Sequence, residues 1–195
     1  MIEDVVSRET KEKLEEYIKL IQKWNSRINL VSRNSTFDSL VLHTLDCLDL
    51  LYKFNHKPKN LFDVGSGAGF PGMVMAIAGM ENMCLIEPDL KKATFLEFVK
   101  RNLLINVEIR NIRVEKIENM IVDTIVSRAV TSTSKLIGLC DKIIDAKTKV
   151  LLMKSNTQLE ELNELALTWN FELQIHQNNY INNHIVFEIG HLKKK

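Results

Sequence analysis

Apolar residues recur at three- and four-residue steps near the start of the chain, over residues 9–24, at Leu14, Tyr17, Ile18, Ile21 and Trp24. This spacing predicts an amphipathic helix with one buried face. A similar apolar face predicts a second helix over about residues 36–54, with Ser35 as its N-cap. Two helices ahead of everything else predict an N-terminal helical cap over residues 1–57.

After Pro58 the pattern changes to short apolar runs that alternate with helical stretches. Strand-like runs lie at residues 61–64, 83–86, 107–109, 124–127 and 150–153. Helical patterns lie at residues 73–79, near 89–104, near 133–144 and at 157–169. Two β-like runs, 171–175 and 185–189, then follow with no helix between them.

Strands that alternate with helices indicate a parallel sheet covered on both faces, and two consecutive strands indicate an antiparallel hairpin at one edge. We therefore predict an α/β fold for residues 58–195, a mostly parallel, doubly wound sheet of seven strands. The antiparallel end is typical of the Rossmann-like class I methyltransferases, whereas NAD dehydrogenases usually keep every strand parallel. We expect this domain and the cap to form one structural unit.

The composition is that of a globular protein: 45% of the 195 residues are hydrophobic and 26% are charged. No apolar run approaches the roughly 18 residues that a membrane span needs, and no signal peptide is visible. The three cysteines are far apart in the sequence, which favours a reducing compartment and no structural metal site. We expect a cytoplasmic monomer without a membrane or metal partner.

The net charge of +1 lacks the strong basic excess of many nucleic-acid-binding domains. The charge is nevertheless unevenly spread. Residues 128–154 hold six basic and two acidic side chains, a net charge of +4, and residues 193–195 are all lysine. A local field of this kind predicts a modest, salt-sensitive affinity for RNA.

The most informative segment is the glycine-rich turn at residues 65–72, which holds four of the seven glycines. Such a turn lets the backbone approach a ligand closely and enter a helix sharply. It follows the first predicted strand, so it lies at the carboxyl edge of the sheet, where open α/β folds bind ligands.

Two cofactor templates match this turn. Residues 67–72 fit the G-x-G-x-x-G dinucleotide fingerprint, whereas 65–69 with Asp63 ahead fit the loop of S-adenosylmethionine enzymes. The Asp63 carboxylate would repel a pyrophosphate and attract a cationic amino group or sulfonium. Pro71 also removes an N–H that a phosphate would use. Glu87 ends the second strand at the offset where an acidic residue binds ribose hydroxyls, which suits either cofactor.

Taken together, the motifs give the chain a resemblance to the ribosomal small-subunit methyltransferase G family (RsmG, glucose-inhibited division protein B). The matching blocks are Trp24-Asn25-x-x-Ile28-Asn29-Leu30, His43-x-x-Asp46-x-Leu48, residues 63–72, Lys91-Lys92 with Phe95-Leu96, Arg113-Val114-Glu115 and Ser127-Arg128-Ala129. The chain departs from the family at Glu87-Pro88, where Asp-Ser is common, and it matches weakly over its last third.

The resemblance implies a role for each matching position. Gly65, Gly67, Gly69 and Phe70 would bind the methionine part of S-adenosylmethionine, Glu87 the ribose, and Val114 and Glu115 the adenine. Arg128 would lie at the mouth of the site, beside both cofactor and substrate, as a positioning candidate rather than a certain catalytic residue. For His43 and Asp46, three residues apart on an apolar helix, a buried structural pair is favoured over catalysis.

The family transfers a methyl group to N7 of a guanine in 16S ribosomal RNA, and we expect that activity here, with the RNA or the small ribosomal subunit as partner. Guanine N7 carries a free lone pair, so no general base is needed. Two alternatives stay open at this point. One is an NAD(P)-binding oxidoreductase, and the other is a catalytically silent RNA-binding module with a methyltransferase-like fold.

Overall fold

The computed structural model describes residues 2, 5–54, 57–128 and 131–195. The helices are α1 Arg8–Asn25, α2 Phe37–Leu51, α3 Gly72–Ile77, α4 Leu90–Leu103, α5 Thr133–Leu139 and α6 Glu161–Thr168. The strands are β1 Leu61–Val64, β2 Met83–Ile86, β3 Glu108–Arg110, β4 Thr124–Arg128, β5 Lys149–Ser155, β6 Trp169–Gln177 and β7 His184–Lys194. Ala129, which ends one of the matching sequence blocks, lies outside the described residues.

The strands form one sheet of seven in the order β3-β2-β1-β4-β5-β7-β6. The first five strands pair in parallel, while β7 is antiparallel to both β5 and β6. The predicted doubly wound sheet with an antiparallel edge hairpin is therefore confirmed. The chain order reverses at β1, so β1 and β4 lie side by side at the switch point where ligands bind in such sheets.

The structure differs from the sequence prediction at several element ends. Thr36, rather than Ser35, caps α2, because its hydroxyl oxygen accepts the Ser39 N–H at 3.1 Å. The helix predicted to reach residue 144 ends at Leu139. The last two strands are longer than predicted. Polar side chains alternate along the solvent-facing side of an edge hairpin, so a search for apolar runs finds only part of each strand.

The helical cap packs on one face of the sheet and shares its core. Leu14 and Ile18 of α1 belong to the same buried cluster as Met73 of α3 and Phe95 of α4. Burial of an aliphatic or aromatic side chain of this size contributes about 1.5–3 kcal/mol. The cap is thus held to the sheet by a continuous apolar core.

Trp24 takes part in that packing. Its ring lies 5.5 Å from the ring of Phe95 and 5.1 Å from that of Phe98, centroid to centroid. The side chain therefore joins the end of α1 to α4.

Within the described ranges, no helix is both long enough and apolar enough to pass through a bilayer. The same residues contain no group of three or more His, Cys, Asp or Glu side chains arranged to hold a metal ion.

Asp63 is fully buried in β1, directly beneath the glycine turn. Its Oδ2 accepts the N–H of Gly72 at 3.1 Å, whereas its Oδ1 has no hydrogen-bond partner among the described residues. A Cβ on Gly72 would lie 2.6 Å from Oδ2, so only glycine fits this close approach. Burial raises the pKa of the Asp63 carboxyl to about 7, against the lowering effect of the Gly72 N–H.

This raised pKa predicts a pH-dependent cost to stability. Below about pH 4 the Asp63 carboxyl is protonated in both the folded and the unfolded chain, so no cost arises. Between about pH 4 and pH 7 the folded chain binds more protons than the unfolded chain, and stability falls as pH rises. Asp63→Asn removes this titration.

We expect the free energy of unfolding of the parent, minus that of Asp63→Asn, to fall from pH 4 to pH 7 and then to level off. Urea unfolding of both proteins at half-unit pH steps measures this difference, in which the other titrating groups cancel. A difference that stays constant with pH would show that folding does not raise the pKa of the Asp63 carboxyl.

Candidate functional site

A cavity of about 510 Å³ lies at the carboxyl ends of β1, β2 and β4. One wall comes from the sheet: Gly65, Ser66, Gly67, Ala68, Phe70, Glu87, Pro88, Lys92 and Arg128. The other wall comes from the helical cap: Leu30, Val31, Ser32, Ser35 and His43. The cap therefore completes a cavity that the sheet alone leaves open.

The glycine turn has a left-handed backbone at Gly65, Gly67 and Gly69, with φ values of 75°, 58° and 105°. A Cβ on Gly67 would have its nearest neighbour at 3.9 Å, so there is open space on this side of the turn. Gly69 is different. A Cβ there would lie 2.7 Å from the Tyr17 hydroxyl and 2.7 Å from the Met73 Cβ. Gly67 therefore leaves room for a ligand, whereas Gly69 leaves room for the cap.

Tyr17 of α1 connects the cap to this turn. Its hydroxyl donates a hydrogen bond to the Ala68 carbonyl oxygen at 2.7 Å, and its ring lies 5.7 Å from the ring of Phe70. The side chain is fully buried. Burial raises the pKa of the Tyr17 hydroxyl well above its usual value, so the hydroxyl stays protonated and remains a donor.

Glu87 connects the end of β2 to the same turn. Its Oε2 accepts the Gly67 N–H at 2.7 Å, and its Oε1 accepts the Asp89 N–H at 2.8 Å. Each carboxylate oxygen has two acceptor sites, so both oxygens retain capacity for a further donor. Glu87 thus fixes the turn and still offers acceptors to a hydroxyl-bearing ligand.

Arg128 ends β4 with its side chain between the sheet and the cap. Its guanidinium lies 3.6 Å from the Oδ2 of Asp46 in α2 and 5.8 Å from the centre of the Phe70 ring. Asp46 is only 2% exposed and also accepts from Asn178 and His184, at 2.8 Å and 3.0 Å. A buried carboxylate therefore holds Arg128 at the cavity wall.

His43 lines the cavity but is not paired with Asp46, as its position on α2 had suggested. Asp46 instead bonds to groups of the β6–β7 hairpin, including His184. The His43 ring meets the Phe70 ring edge-on at 6.0 Å. Burial, with smaller contributions from the positive charges of Arg128 and His184, lowers the pKa of His43 to about 4, so the ring is neutral at pH 7.

The structure brings together five of the eight residues assigned to the cofactor from sequence: Gly65, Gly67, Phe70, Glu87 and Arg128. Gly69 packs against Tyr17, as described above. Val114 and Glu115 lie in a short 3-10 turn after β3 and do not line this cavity. Their contact with adenine stays a prediction.

Sequence reasoning missed the lining residues of the cap between positions 30 and 35. They lie in a connection without periodicity, and only the docking of α1 and α2 on the sheet brings them to the cavity. Lys92 was matched as part of a sequence block without a role, and the structure places it on the cavity wall.

The basic segment 128–154 is largely neutralised in the folded chain. Four of its six cations form ion pairs: Arg128 with Asp46, Lys142 with Glu118, Lys149 with Glu188 and Lys154 with Glu161. In the terminal cluster, Lys194 pairs with Asp141. The net charge of this segment therefore overstates the field that it presents to an RNA.

Comparison with solved structures identifies the fold. The chain superimposes on the ribosomal protein L11 methylase of Lactobacillus delbrueckii with a TM-score of 0.59 and 14% identity, covering 75% of this chain and 76% of that one. It also resembles the magnesium protoporphyrin IX methyltransferase of Synechocystis, with a TM-score of 0.60 and 11% identity over 89% of this chain and 97% of that one. The expected class I methyltransferase fold is confirmed.

Comparison of the sequence identifies the family. A family model described as GidB, rRNA small subunit methyltransferase G, matches residues 10–185. The ribosomal RNA small subunit methyltransferase G of Rickettsia felis is 40% identical over 189 residues, which cover 97% of both chains. That of Rickettsia bellii is 39% identical over the same share of both chains. The chain therefore belongs to the rRNA small subunit methyltransferase G family.

Proposed function

We propose that this protein transfers the methyl group of S-adenosylmethionine to N7 of a guanine in 16S ribosomal RNA. The observation that carries the proposal is one cavity that combines the glycine turn, Glu87 and Arg128 in a chain of this family. The family membership also sets aside an NAD(P)-dependent oxidoreductase.

The residues around the cavity fit S-adenosylmethionine. Gly65 and Gly67 give open backbone for the methionine part, with Phe70 beside it, and Glu87 has free acceptor sites for the ribose hydroxyls. Asp63 lies beneath the turn with its Oδ1 unpaired among the described residues, and with a pKa of about 7 it adds negative potential only in its ionised fraction. We assign Val114 and Glu115 to the adenine, on the family pattern alone.

When bound, S-adenosylmethionine supplies a methyl group made electrophilic by a positively charged sulfur. Guanine N7 attacks with its lone pair and loses no proton, so the chain needs no general base. The pKa of His43, lowered to about 4, makes its ring a weak base, which is consistent with a site that needs no proton acceptor. The task of the protein is alignment, and correct alignment of two reactants contributes about 7–11 kcal/mol to lowering a barrier.

Arg128 is the positioning candidate for the guanine. A planar guanidinium can bond to guanine O6, stack on the base or hold a phosphate. Asp46 and the Phe70 ring fix the side chain, which is 16% exposed and so retains a face toward the cavity. A pre-placed arginine loses less conformational entropy when the substrate binds.

We further propose that the cap, residues 1–57, and the methyltransferase domain, residues 58–195, form one structural unit. The shared core and the Tyr17–Ala68 hydrogen bond support this division of the chain. We propose that the protein acts as a cytoplasmic monomer on 16S RNA, alone or within the small ribosomal subunit.

Replacing Gly67 by alanine tests the place of the cofactor. The new methyl group would point into open space at the turn, so we expect Gly67→Ala to weaken S-adenosylmethionine binding at least tenfold by calorimetry. Gly79→Ala is a matched control, because Gly79 also has a positive φ, of 93°, and open space around it, but lies outside the cavity. Both variants place alanine at a positive φ and so incur backbone strain of about 1 kcal/mol or more, which is no smaller in the control. Equal affinities in the two variants would contradict the assignment.

Nucleoside mapping of 16S RNA tests the reaction. We expect one 7-methylguanosine to be absent from cells without the gene, to return with the parent gene and to stay absent or low with Gly67→Ala. An unchanged 7-methylguanosine content after gene deletion would contradict the proposed substrate. Binding of RNA without methyl transfer would instead support the catalytically silent module.

A further inference from the structure

A second cleft, of about 720 Å³, lies next to the cofactor cavity. The two are separated by the connection between α1 and α2, residues 26–36, which we name the cap loop. Val31 and Ser35 of the cap loop line both spaces, so the loop is a thin wall between them. Any chain that lies in the second cleft is therefore adjacent to the cofactor cavity.

The second cleft is polar and positively charged. Its lining includes Arg27 and Arg33 together with Gln22, Asn25, Ser26 and Asn29, and it contains no acidic residue. The sequence around it, residues 17–37, has four basic residues and no acidic one. Of the cavities around the cap, this one offers the chemistry that an anionic, hydroxyl-rich polymer requires.

Neither guanidinium of Arg27 and Arg33 has an ion-pair or hydrogen-bond partner among the described residues. Both side chains are exposed. By contrast, Arg128, Lys142, Lys149 and Lys154 of the basic segment are all paired with carboxylates. The cap loop thus carries positive charge that the folded chain does not neutralise itself.

The cap loop is also held in place before any ligand binds. The Oδ1 of Asn25 accepts the N–H groups of Leu30 and Val31 at 2.9 Å and 3.0 Å. The Leu30 side chain is 8% exposed, which anchors the centre of the loop in the core. A fixed loop adds little ordering cost to binding, so its arginines are suited to a specific grip rather than a diffuse one.

We propose that the second cleft holds the RNA strand that flanks the target guanine, with Arg27 and Arg33 on two of its phosphates. Arginine binds phosphate with paired N–H donors, and the amide and hydroxyl groups of the lining suit the 2′-hydroxyls of RNA. The thin wall then allows the next base to enter the cofactor cavity, where Arg128 lies. This inference rests on the proposed function, because RNA is the substrate only if that function is correct.

The test is the salt dependence of RNA binding, measured by filter binding of a 16S RNA transcript over a range of potassium chloride concentrations. Each phosphate contact to a single strand adds about 0.7 to the slope of log affinity against log salt. For the double variant Arg27→Gln/Arg33→Gln, we expect the slope of log affinity against log salt to become shallower by about 1.4. We expect its affinity for the RNA to fall at least tenfold. Its affinity for S-adenosylhomocysteine should equal that of the parent.

Lys57→Gln/Lys59→Gln is the matched control. It removes the same charge from two exposed lysines just before β1, at the amino end of the strands and on the opposite edge of the sheet from both clefts. We expect it to keep the slope of the parent. An equal loss of slope in both double variants, or no loss in the cap-loop variant, would overturn the inference.

The outcomes separate this inference from the proposed function. In one outcome the parent protein methylates guanine N7, and Arg27→Gln/Arg33→Gln keeps the parent's salt dependence of RNA binding. That result would refute the proposed role of the second cleft and leave the proposed function standing. In the other outcome the parent protein binds RNA through these two arginines but transfers no methyl group. That result would refute the proposed function and leave the proposed role of the second cleft standing.

Discussion

The hydrogen bond from the Tyr17 hydroxyl to the Ala68 carbonyl is the contact on which the site depends. It joins the first helix of the chain to the turn after the first strand, across 51 residues of sequence. The contact requires glycine at position 69, because a side chain there would occupy the place of the tyrosine hydroxyl. The N-terminal helices therefore act as a wall of the cavity and a support for its glycine turn.

Three buried carboxylates complete the arrangement, each with a different task. Asp63 holds the far end of the turn through the Gly72 N–H, Glu87 holds its middle through the Gly67 N–H, and Asp46 holds Arg128 from the cap side. Burying a carboxylate is costly unless it is bonded, and these bonds offset that cost while they fix the cavity. Of the three, Glu87 lines the cavity itself, where its carboxylate favours a cationic ligand over a pyrophosphate.

Local patterns in the sequence predicted most of the fold and the sheet side of the site. The turn, Glu87 and Arg128 each follow a strand that the apolar pattern revealed, and parallel strands bring their carboxyl ends together. The cap side was not predictable in this way, because residues 30–35 reach the cavity only through tertiary docking. The positive field of residues 128–154 was also overestimated from the sequence. Ion pairs such as Lys149 with Glu188, which join strands far apart in the sequence, neutralise much of its charge and are visible only in the fold.

Ligand binding to Tyr17→Phe tests most directly whether the cap supports the cofactor turn. The variant keeps the buried ring and removes only the hydroxyl, leaving the Ala68 carbonyl without this donor. A hydrogen bond of this kind contributes about 1 kcal/mol to stability. In the variant, binding of S-adenosylhomocysteine must order the turn without this bond, so the affinity measured by calorimetry should fall about fivefold. Tyr52→Phe, at a site 63% exposed, should leave that affinity unchanged. Parent-level affinity in a folded Tyr17→Phe protein would contradict this account.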